Sequence, residues 1–468
     1  MKPFVHEIRD IDLLQAFANV KHMPYSLLLD SSDRNHKESR YSFVACQPIE
    51  TIEAKDGMIT VTNWEQRLSF KERPFKILKS RIESWIPQTE HIPNLPPFQG
   101  GAAGLFSYDL SRYLEELPET IANDSAMPDM AIGLYDQVLA RDHLTKKTWI
   151  FTHARNEKEA EKKRNFLLNI FSQPVKQPNY EPTELDWQSN FTKQEYIEHI
   201  EKIIQYIYDG DIFQANFAQK LSAELPTHFD PFAHYLHMRE TNPVPFGAYL
   251  NLADIKIASA SPERFITSQN GQITTSPIKG TRPRTENVIE DRKNKNALQN
   301  SEKDNAENTM IVDLLRNDLS RVCTPESINV SKLCELESFA GVHHLVSTIT
   351  AQLKEGKKPV DLLRACFPGG SITGAPKIRA MEIIEECERA CRNAYCGSIG
   401  YIGFDNIMDT NILIRTLIYE KQKVSLSVGG GIVADSVPEE EYQETLDKAE
   451  LIRKSFAIST PENIHLKA

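Results

Sequence analysis

Hydrophobic and polar positions alternate in short blocks along this chain, and their spacing predicts a mixed succession of strands and helices. Leu27-Leu28-Leu29 is a continuous apolar run closed by Asp30 and Ser31, which predicts a buried strand ending in turn formers. Arg40-Tyr41-Ser42-Phe43-Val44-Ala45 predicts its neighbour. Residues 86 to 98 carry Pro87, Pro93, Pro96 and Pro97, which predicts an extended loop. That loop enters Gly100-Gly101-Ala102-Ala103-Gly104, whose small residues allow tight backbone packing. No Lys-Ser/Thr pair follows it, as a Walker phosphate loop requires. A polar helix is predicted from Glu157 to Ile170.

From Gln173 to Pro182 the chain holds Pro174, Pro178 and Pro182 and loses its apolar periodicity, which is linker composition. The expected organisation is a first section at 1–172, a linker at 173–187 and a second section at 188–460. Thr192-Lys193-Gln194-Glu195 is a capping box, and Tyr196, Ile200, Ile203, Ile204 and Ile207 form the stripe of the helix it opens. Gly210 is placed to end that helix.

The totals narrow the class. The chain has 468 residues, 40% hydrophobic and 25% charged, which suits an ordinary globular protein with a large core. A formal net charge of -11 argues against nucleic acid as the main partner. The seven cysteines are odd in number and include no C-x-x-C pair, so reduced thiols in a cytoplasmic protein are expected. No apolar run approaches the length of a membrane span or a signal core, so no membrane association is expected.

Candidate chemistry concentrates in the second section. A strand-like run, Gly271 to Ser276, leads into Pro277-Ile278-Lys279-Gly280-Thr281-Arg282-Pro283-Arg284. A lysine beside a glycine offers an amine in backbone that a ligand can approach, and two arginines can clamp carboxylates. The same composition also describes a solvated basic turn. Asp304 and Glu307 lie three positions apart ahead of Met310, Ile311, Leu314 and Leu315, so helical spacing turns Glu307 inward. Glu441 and Glu444 share a face of a second helix, whose buried side is Tyr442, Leu446, Ala449 and Ile452. Two such pairs can hold a hard divalent cation, magnesium above all; acidic residues in a first turn also simply complement the helix dipole.

Glu263 stands at a strand end, as a general acid or as a surface residue. His343 and His344 are adjacent, so on a strand they face opposite ways and at most one points at a site. Gly369 to Lys377 has alanine, Ala375, where a Walker lysine belongs, and is expected to start a helix whose free amides meet an anion. Val428-Gly429-Gly430-Gly431-Ile432 ends a strand with amides exposed for a carboxylate. Arg415, placed by its neighbours Ile412, Leu413, Ile414 and Leu417 inside an apolar strand, should meet an anion there. These features together suit a small polyanionic metabolite bound with a cation.

Six motifs, in order, resemble the chorismate-utilising enzymes: Ser261 to Phe265, Pro277 to Arg282, Asp313 to Asp318, His344 to Ser347, Ser371 to Lys377 and Glu441 to Thr445. The first section resembles the same family through Leu28 to Ser31, Arg40 to Phe43 and Gly104 to Asp109. The resemblance implies a two-lobed α/β (α+β) sandwich, with largely antiparallel sheets packed together and helices outside. Isochorismate- and salicylate-forming members carry lysine where Gln214 stands. Anthranilate-forming members carry alanine where Lys279 stands, and more often histidine after the glutamate that matches Glu307. The members that aminate ring carbon four of chorismate carry lysine, as here.

That branch implies 4-amino-4-deoxychorismate as product, a precursor of 4-aminobenzoate in folate biosynthesis; anthranilate formation for tryptophan is the alternative. It implies magnesium held through Glu307 and Glu444, with Asp304 and Glu441 acting largely through water. Arg415, Tyr401 and the amides of Gly430 and Gly431 would hold the pyruvyl side-chain carboxylate, with Lys448 at the ring carboxylate. Thr281 and Ser371 fall in substrate-contacting motifs, Ser371 where relatives often have threonine, and His344 matches a histidine near the substrate. Glu263 would protonate the departing hydroxyl. Lys279 would attack ring carbon two as a neutral amine, favoured by burial or by Arg282, before ammonia adds at carbon four. The ammonia implies a separate glutaminase subunit, because no Cys-His glutaminase signature is present. A chorismate-binding regulatory subunit without activity is the reading of another class, and intact Glu263, Lys279, Glu307, Glu441 and Glu444 argue against it.

Overall fold

The apolar blocks resolve, in a computed structural model, into two large antiparallel sheets packed face to face. The structure describes all residues except 1, 10, 86–88, 124, 176–177, 286, 339–341 and 458–468. Pro87, Lys176, Gln177 and the end of the second section at 458–460 therefore lie outside the described residues.

The run Leu27–Asp30 is a strand, flanked on one side by Tyr41–Ala45, as its composition predicts, and on the other by Phe246–Leu252 from the second section. In the other sheet Gly101–Phe106 lies between Met130–Tyr135 and Ser398–Gly403. Gly101 and Gly104 there let the neighbouring strands come close, the packing role expected of the small residues. Both sheets thus contain strands from before residue 172 and from after residue 188.

Between the sheets lies a core that includes Leu27, Phe43, Leu105, Tyr135, Ile257, Ile399, Tyr401 and Leu413. The helices pack on the two outer faces. Glu302–Ser320 lays Ile311, Val312, Leu315 and Leu319 on one, and Pro438–Ala457 lays Ala449, Ile452 and Phe456 on the other. The predicted capping box opens Lys193–Tyr208: the Thr192 amide donates to Glu195 Oε2 at 2.8 Å, and the Glu195 amide donates back to Thr192 Oγ1 at 3.3 Å. Tyr196, Ile200 and Ile203 of its stripe are buried. The helix Glu157–Phe171 forms as predicted, capped by Asn156. The proline-rich linker is tied down at Tyr180, whose hydroxyl donates to the Phe456 carbonyl at 2.7 Å. Among the described residues no helix is long and apolar enough to cross a membrane, and all seven cysteines are free thiols.

Candidate active site

Lys279 sits on Ile278–Pro283, a strand at the edge of its sheet that, among the described residues, pairs only with Val342–Gln352. The register slips between Lys279 and Thr281, and a bulge of this kind re-aims the side chains around it. Gly280 supplies the bulge with φ +69°, and a Cβ there would press on Leu298 and Asp304. The space beside this glycine is therefore taken by the neighbouring helices and not left for a ligand. The lysine is not the solvated turn residue its local composition also allowed: only 12% of its side chain is exposed. Its Nζ lies 2.8 Å from Glu307 Oε1 and donates to the Ser371 carbonyl at 3.1 Å.

Glu307 points inward from Glu302–Ser320, as the helical spacing predicts. Its Oε1 also accepts from Gln214 Nε2 at 2.6 Å. Burial alone would raise its pKa, but the Lys279 charge and these two hydrogen bonds hold it below the ordinary carboxylate value. Glu263 behaves in the opposite way. It is 7% exposed, accepts from Ser371 Oγ at 3.1 Å, and burial raises its pKa in spite of the nearby Lys279 charge. Ser371 thus touches both groups, the lysine through its carbonyl and the acid through its hydroxyl.

The adjacent histidines face opposite ways on Val342–Gln352. His343 turns to Ser338 Oγ at 2.7 Å and Asp291 at 3.2 Å. His344 turns to the site, with Nδ1 2.9 Å from Thr281 Oγ1 and 3.4 Å from the Gly280 carbonyl. Burial, with Arg415 adding to it, pushes the His344 pKa down to about 4, so the ring is neutral near pH 7. The Thr281 hydroxyl is engaged with this ring.

Arg415 corrects one expectation. It lies not within a strand but at a bend with φ +51° just before Thr416–Glu420, and its carbonyl accepts from the Ala260 amide at 3.0 Å. Burial lowers its pKa, and among the described residues no hydrogen bond or ion pair engages its guanidinium. A largely buried cation of this kind is costly unless an anion meets it.

The second carboxylate pair approaches the same place from Pro438–Ala457. Glu441 Oε1 accepts from Ser436 Oγ at 2.6 Å, and burial, with Glu444 nearby, raises its pKa. Glu444 Oε1 lies 2.6 Å from Lys448 Nζ, which also donates to the Gly429 carbonyl at 2.9 Å. Gly430 and Gly431 lie within the ladder of Lys423–Ile432, opposite Phe217 and Asn216, and not in a free loop end. A Cβ on Gly431 would come 2.9 Å from Glu307 Oε1, and one on Gly430 would come 3.3 Å from Glu441 Oε2 and 3.6 Å from Glu444 Oε1. Glu307 and the pair Glu441 and Glu444 therefore border adjacent residues near the end of one strand.

The other singled-out residues stand as follows. Asp304 faces Arg282, at 3.1 Å, so that arginine is not directed at the Lys279 amine. The stretch from Gly369 to Lys377 leads into a helix as expected: the helix starts at Lys377, whose amine is bound to Asp318, while Ala375 just before it pairs with Gln214 in a short strand. Tyr401 is apart from the cluster. Its ring stacks on Phe98 at 4.6 Å and meets Phe43 at 5.6 Å, lining an inter-sheet cavity with Asp30, Ser31, Glu38 and Arg264. Gln214, read from sequence only as the absence of a lysine, proves to be a direct partner of Glu307. Its place as first residue of a strand carries no sequence signal for that contact.

A profile of the chorismate binding enzymes matches residues 25–454. The chain belongs to this family. It is 45% identical over 440 residues to the aminodeoxychorismate synthase component 1 of Escherichia coli K12, covering 94% of this chain and 95% of that one. It is 38% identical over 438 residues to the anthranilate synthase component 1 of Thermus thermophilus, covering 93% of each. The crystal structure of anthranilate synthase component I from Streptococcus pneumoniae TIGR4 superposes with a TM-score of 0.80 at 32% identity, covering 88% of this chain and 92% of that one. The sandwich with outer helices is thus the fold of chorismate-binding enzymes, as the motifs implied.

Proposed function

We propose that this chain aminates chorismate at ring carbon four, giving 4-amino-4-deoxychorismate and water from chorismate and ammonia. The observation that carries the reading is Lys279, buried between Glu307 and the Ser371 carbonyl with Glu263 on the same serine. An alanine there, as in anthranilate-forming members, has no amine to offer. The relatives named aminodeoxychorismate synthase component 1, at 45%, 44% and 41% identity, support the same branch.

In this reading the Lys279 ammonium leaves Glu307 and releases one proton to solvent, and its lone pair then bonds to ring carbon two. The ring double bonds shift, and the carbon-four hydroxyl departs as water on the proton from Glu263. A carboxyl with a raised pKa still holds that proton near neutral pH. Ammonia then bonds to carbon four, and the carbon-two bond to Lys279 breaks, restoring the free amine. Arg415, without a carboxylate partner among the described residues, takes the pyruvyl carboxylate. Lys448, paired with Glu444, would assist at the ring carboxylate. His344, neutral and fixed on Thr281, lines the substrate side without carrying charge.

Magnesium belongs to the proposal as well. Among the described residues no three His, Cys, Asp or Glu side chains converge as a ready-made cage. The residues fit a magnesium site of the open kind, in which few protein carboxylates hold the ion beside substrate and water. Glu307 borders Gly431, where a side chain would intrude, Glu441 and Glu444 border Gly430, and Asp304 stands one turn before Glu307. Bound there, the ion would neutralise the substrate's ring carboxylate. The relatives' designation as a component 1 supports a glutaminase partner as the ammonia source, and a cytoplasmic setting belongs to the same reading. Replacing Lys279 with alanine tests the proposal. Ammonium-supported conversion of chorismate should fall at least about a hundredfold if nucleophilic catalysis rests on this residue. Full activity in the variant would remove Lys279 from the mechanism.

A further inference from the structure

Arg392 and Glu388 form an ion pair that is almost wholly inside the protein, at 4% and 6% exposure. The guanidinium is used from three sides. Its Nε donates to Glu388 Oε2 at 3.0 Å, and one Nη donates to Glu388 Oε1 at 2.6 Å. The same Nη reaches the Asn216 carbonyl at 2.6 Å, and the other reaches the Ile372 carbonyl at 2.9 Å. Glu388 Oε1 also accepts from the Ala218 amide at 2.9 Å. Tyr108 lies under the guanidinium, 4.7 Å from ring centroid to charge.

The two main-chain carbonyls belong to the two segments on which the candidate site is hung. Ile372 follows Ser371, whose carbonyl accepts from Lys279 and whose hydroxyl donates to Glu263. Asn216 lies two residues after Gln214, which holds Glu307. Beside the short pairing of Gln214 and Ala215 with Ala375 and Gly374, the Asn216 amide donates to the Thr373 carbonyl and the Phe213 amide to the Ala375 carbonyl, each at 2.7 Å, so the main-chain links between these segments are few among the described residues. Burying an ion pair generally stabilises a fold no better than apolar residues of like volume, so stability alone gives little reason for charge here. A planar fork that meets one carboxylate and two carbonyls at fixed angles gives such a reason, and among side chains only arginine offers it.

We propose that Arg392, held by Glu388, is a positioning residue for the amination: it fixes the Ser371 turn against the Gln214 strand and so sets the distances among Lys279, Glu263 and Glu307. The inference rests on the function proposed above. The test compares wild type, Arg392→Lys and the apolar pair Arg392→Met with Glu388→Leu, using chorismate, magnesium and ammonium. Activity is expressed per molecule that melts cooperatively. The lysine keeps the charge opposite Glu388 but loses the fork, and the apolar pair removes the charges without leaving either unpaired. Both variants should lose about tenfold or more in kcat, the scale of misplaced catalytic groups, with KM for chorismate changed by less than about threefold. The apolar pair takes the partners away from the Ala218 amide and the Ile372 carbonyl, so it should melt below wild type but still cooperatively, and its folded molecules should remain slow. If it regains wild-type kcat, or if neither variant folds, the pair belongs to the fold alone and the proposal is overturned. A wild-type chain that yields no aminated chorismate would instead remove the underlying reaction.

Discussion

Gly431→Ala separates the site's geometry from its composition, because it adds one methyl group and changes no charged or hydrogen-bonding side chain. The added Cβ would land inside van der Waals contact of Gln214 Nε2 and 2.9 Å from Glu307 Oε1. Gln214, only 1% exposed, has no solvent to retreat into, so its 2.6 Å hydrogen bond to Glu307 must break or lengthen. A hydrogen bond to a charged group is worth about 1.5–3 kcal/mol, and outer partners of metal ligands change metal affinity by about 10- to 100-fold. At about 1.4 kcal/mol per factor of ten, kcat/KM for chorismate should fall roughly 10- to 150-fold. The magnesium concentration giving half-maximal rate should rise in parallel. Gly430→Ala is the control, since its Cβ meets nothing nearer than Glu441 Oε2 at 3.3 Å and should cost less than about threefold. Steady-state rates across a magnesium titration decide the matter. Equal behaviour of the two variants would refute the claim that Gln214 and Glu307 work as a unit around Gly431.

Arg415→Gln should lower kcat/KM for chorismate about 10- to 100-fold, mainly through KM, because a guanidinium that no described residue engages is lost from the anion it would bind. An unchanged KM would detach Arg415 from the substrate. In chorismate and magnesium without ammonia, acid-quenched wild-type chain should carry a dehydrated chorismate adduct on the peptide containing Lys279. A purely unmodified peptide under turnover conditions would favour direct amination. His234 predicts an acid-sensitive fold. Burial pushes its pKa down to about 3, with Nδ1 2.6 Å from the Tyr419 hydroxyl and Nε2 2.9 Å from Ser455 Oγ. The unfolded chain binds this proton below about pH 6.5 while the folded chain does not, so stability is retained above that pH and lost as pH falls toward 3. Going from pH 7 to 5 should cost about 2 kcal/mol through this residue. Denaturant titrations at the two pH values should show a shallower loss for His234→Gln, and an identical loss would discount the residue.

Much of this site was legible because helical and strand periods are local. The spacing of Glu307 against Ile311 and Leu314 turned its carboxylate inward, and the period of a strand sent His343 and His344 opposite ways. Contacts that cross the fold left no such signal. Gln214 meets Glu307 across 93 positions and Lys279 meets Ser371 across 92, and neither neighbour marks the other in the chain. Arg415 was misplaced because its apolar neighbours imitate a strand, whereas Ile412 to Ile414 run irregularly beside Glu263, with the Ile412 amide on the Glu263 carbonyl at 3.0 Å. Tyr401 shows the limit of motif transfer. Its place on Ser398–Gly403 turns the ring toward Ile399 and the inter-sheet core. The sections before and after the linker look separable along the sequence, yet antiparallel pairing joins them in both sheets, a property of topology that no local pattern carries.

The central claim is the identity of the product. The purified chain should be incubated with chorismate, magnesium and an ammonium salt, and the small molecules separated and weighed by mass spectrometry. The account predicts 4-amino-4-deoxychorismate accumulating in step with chorismate loss, with no pyruvate. Anthranilate accompanied by an equal amount of pyruvate would contradict it.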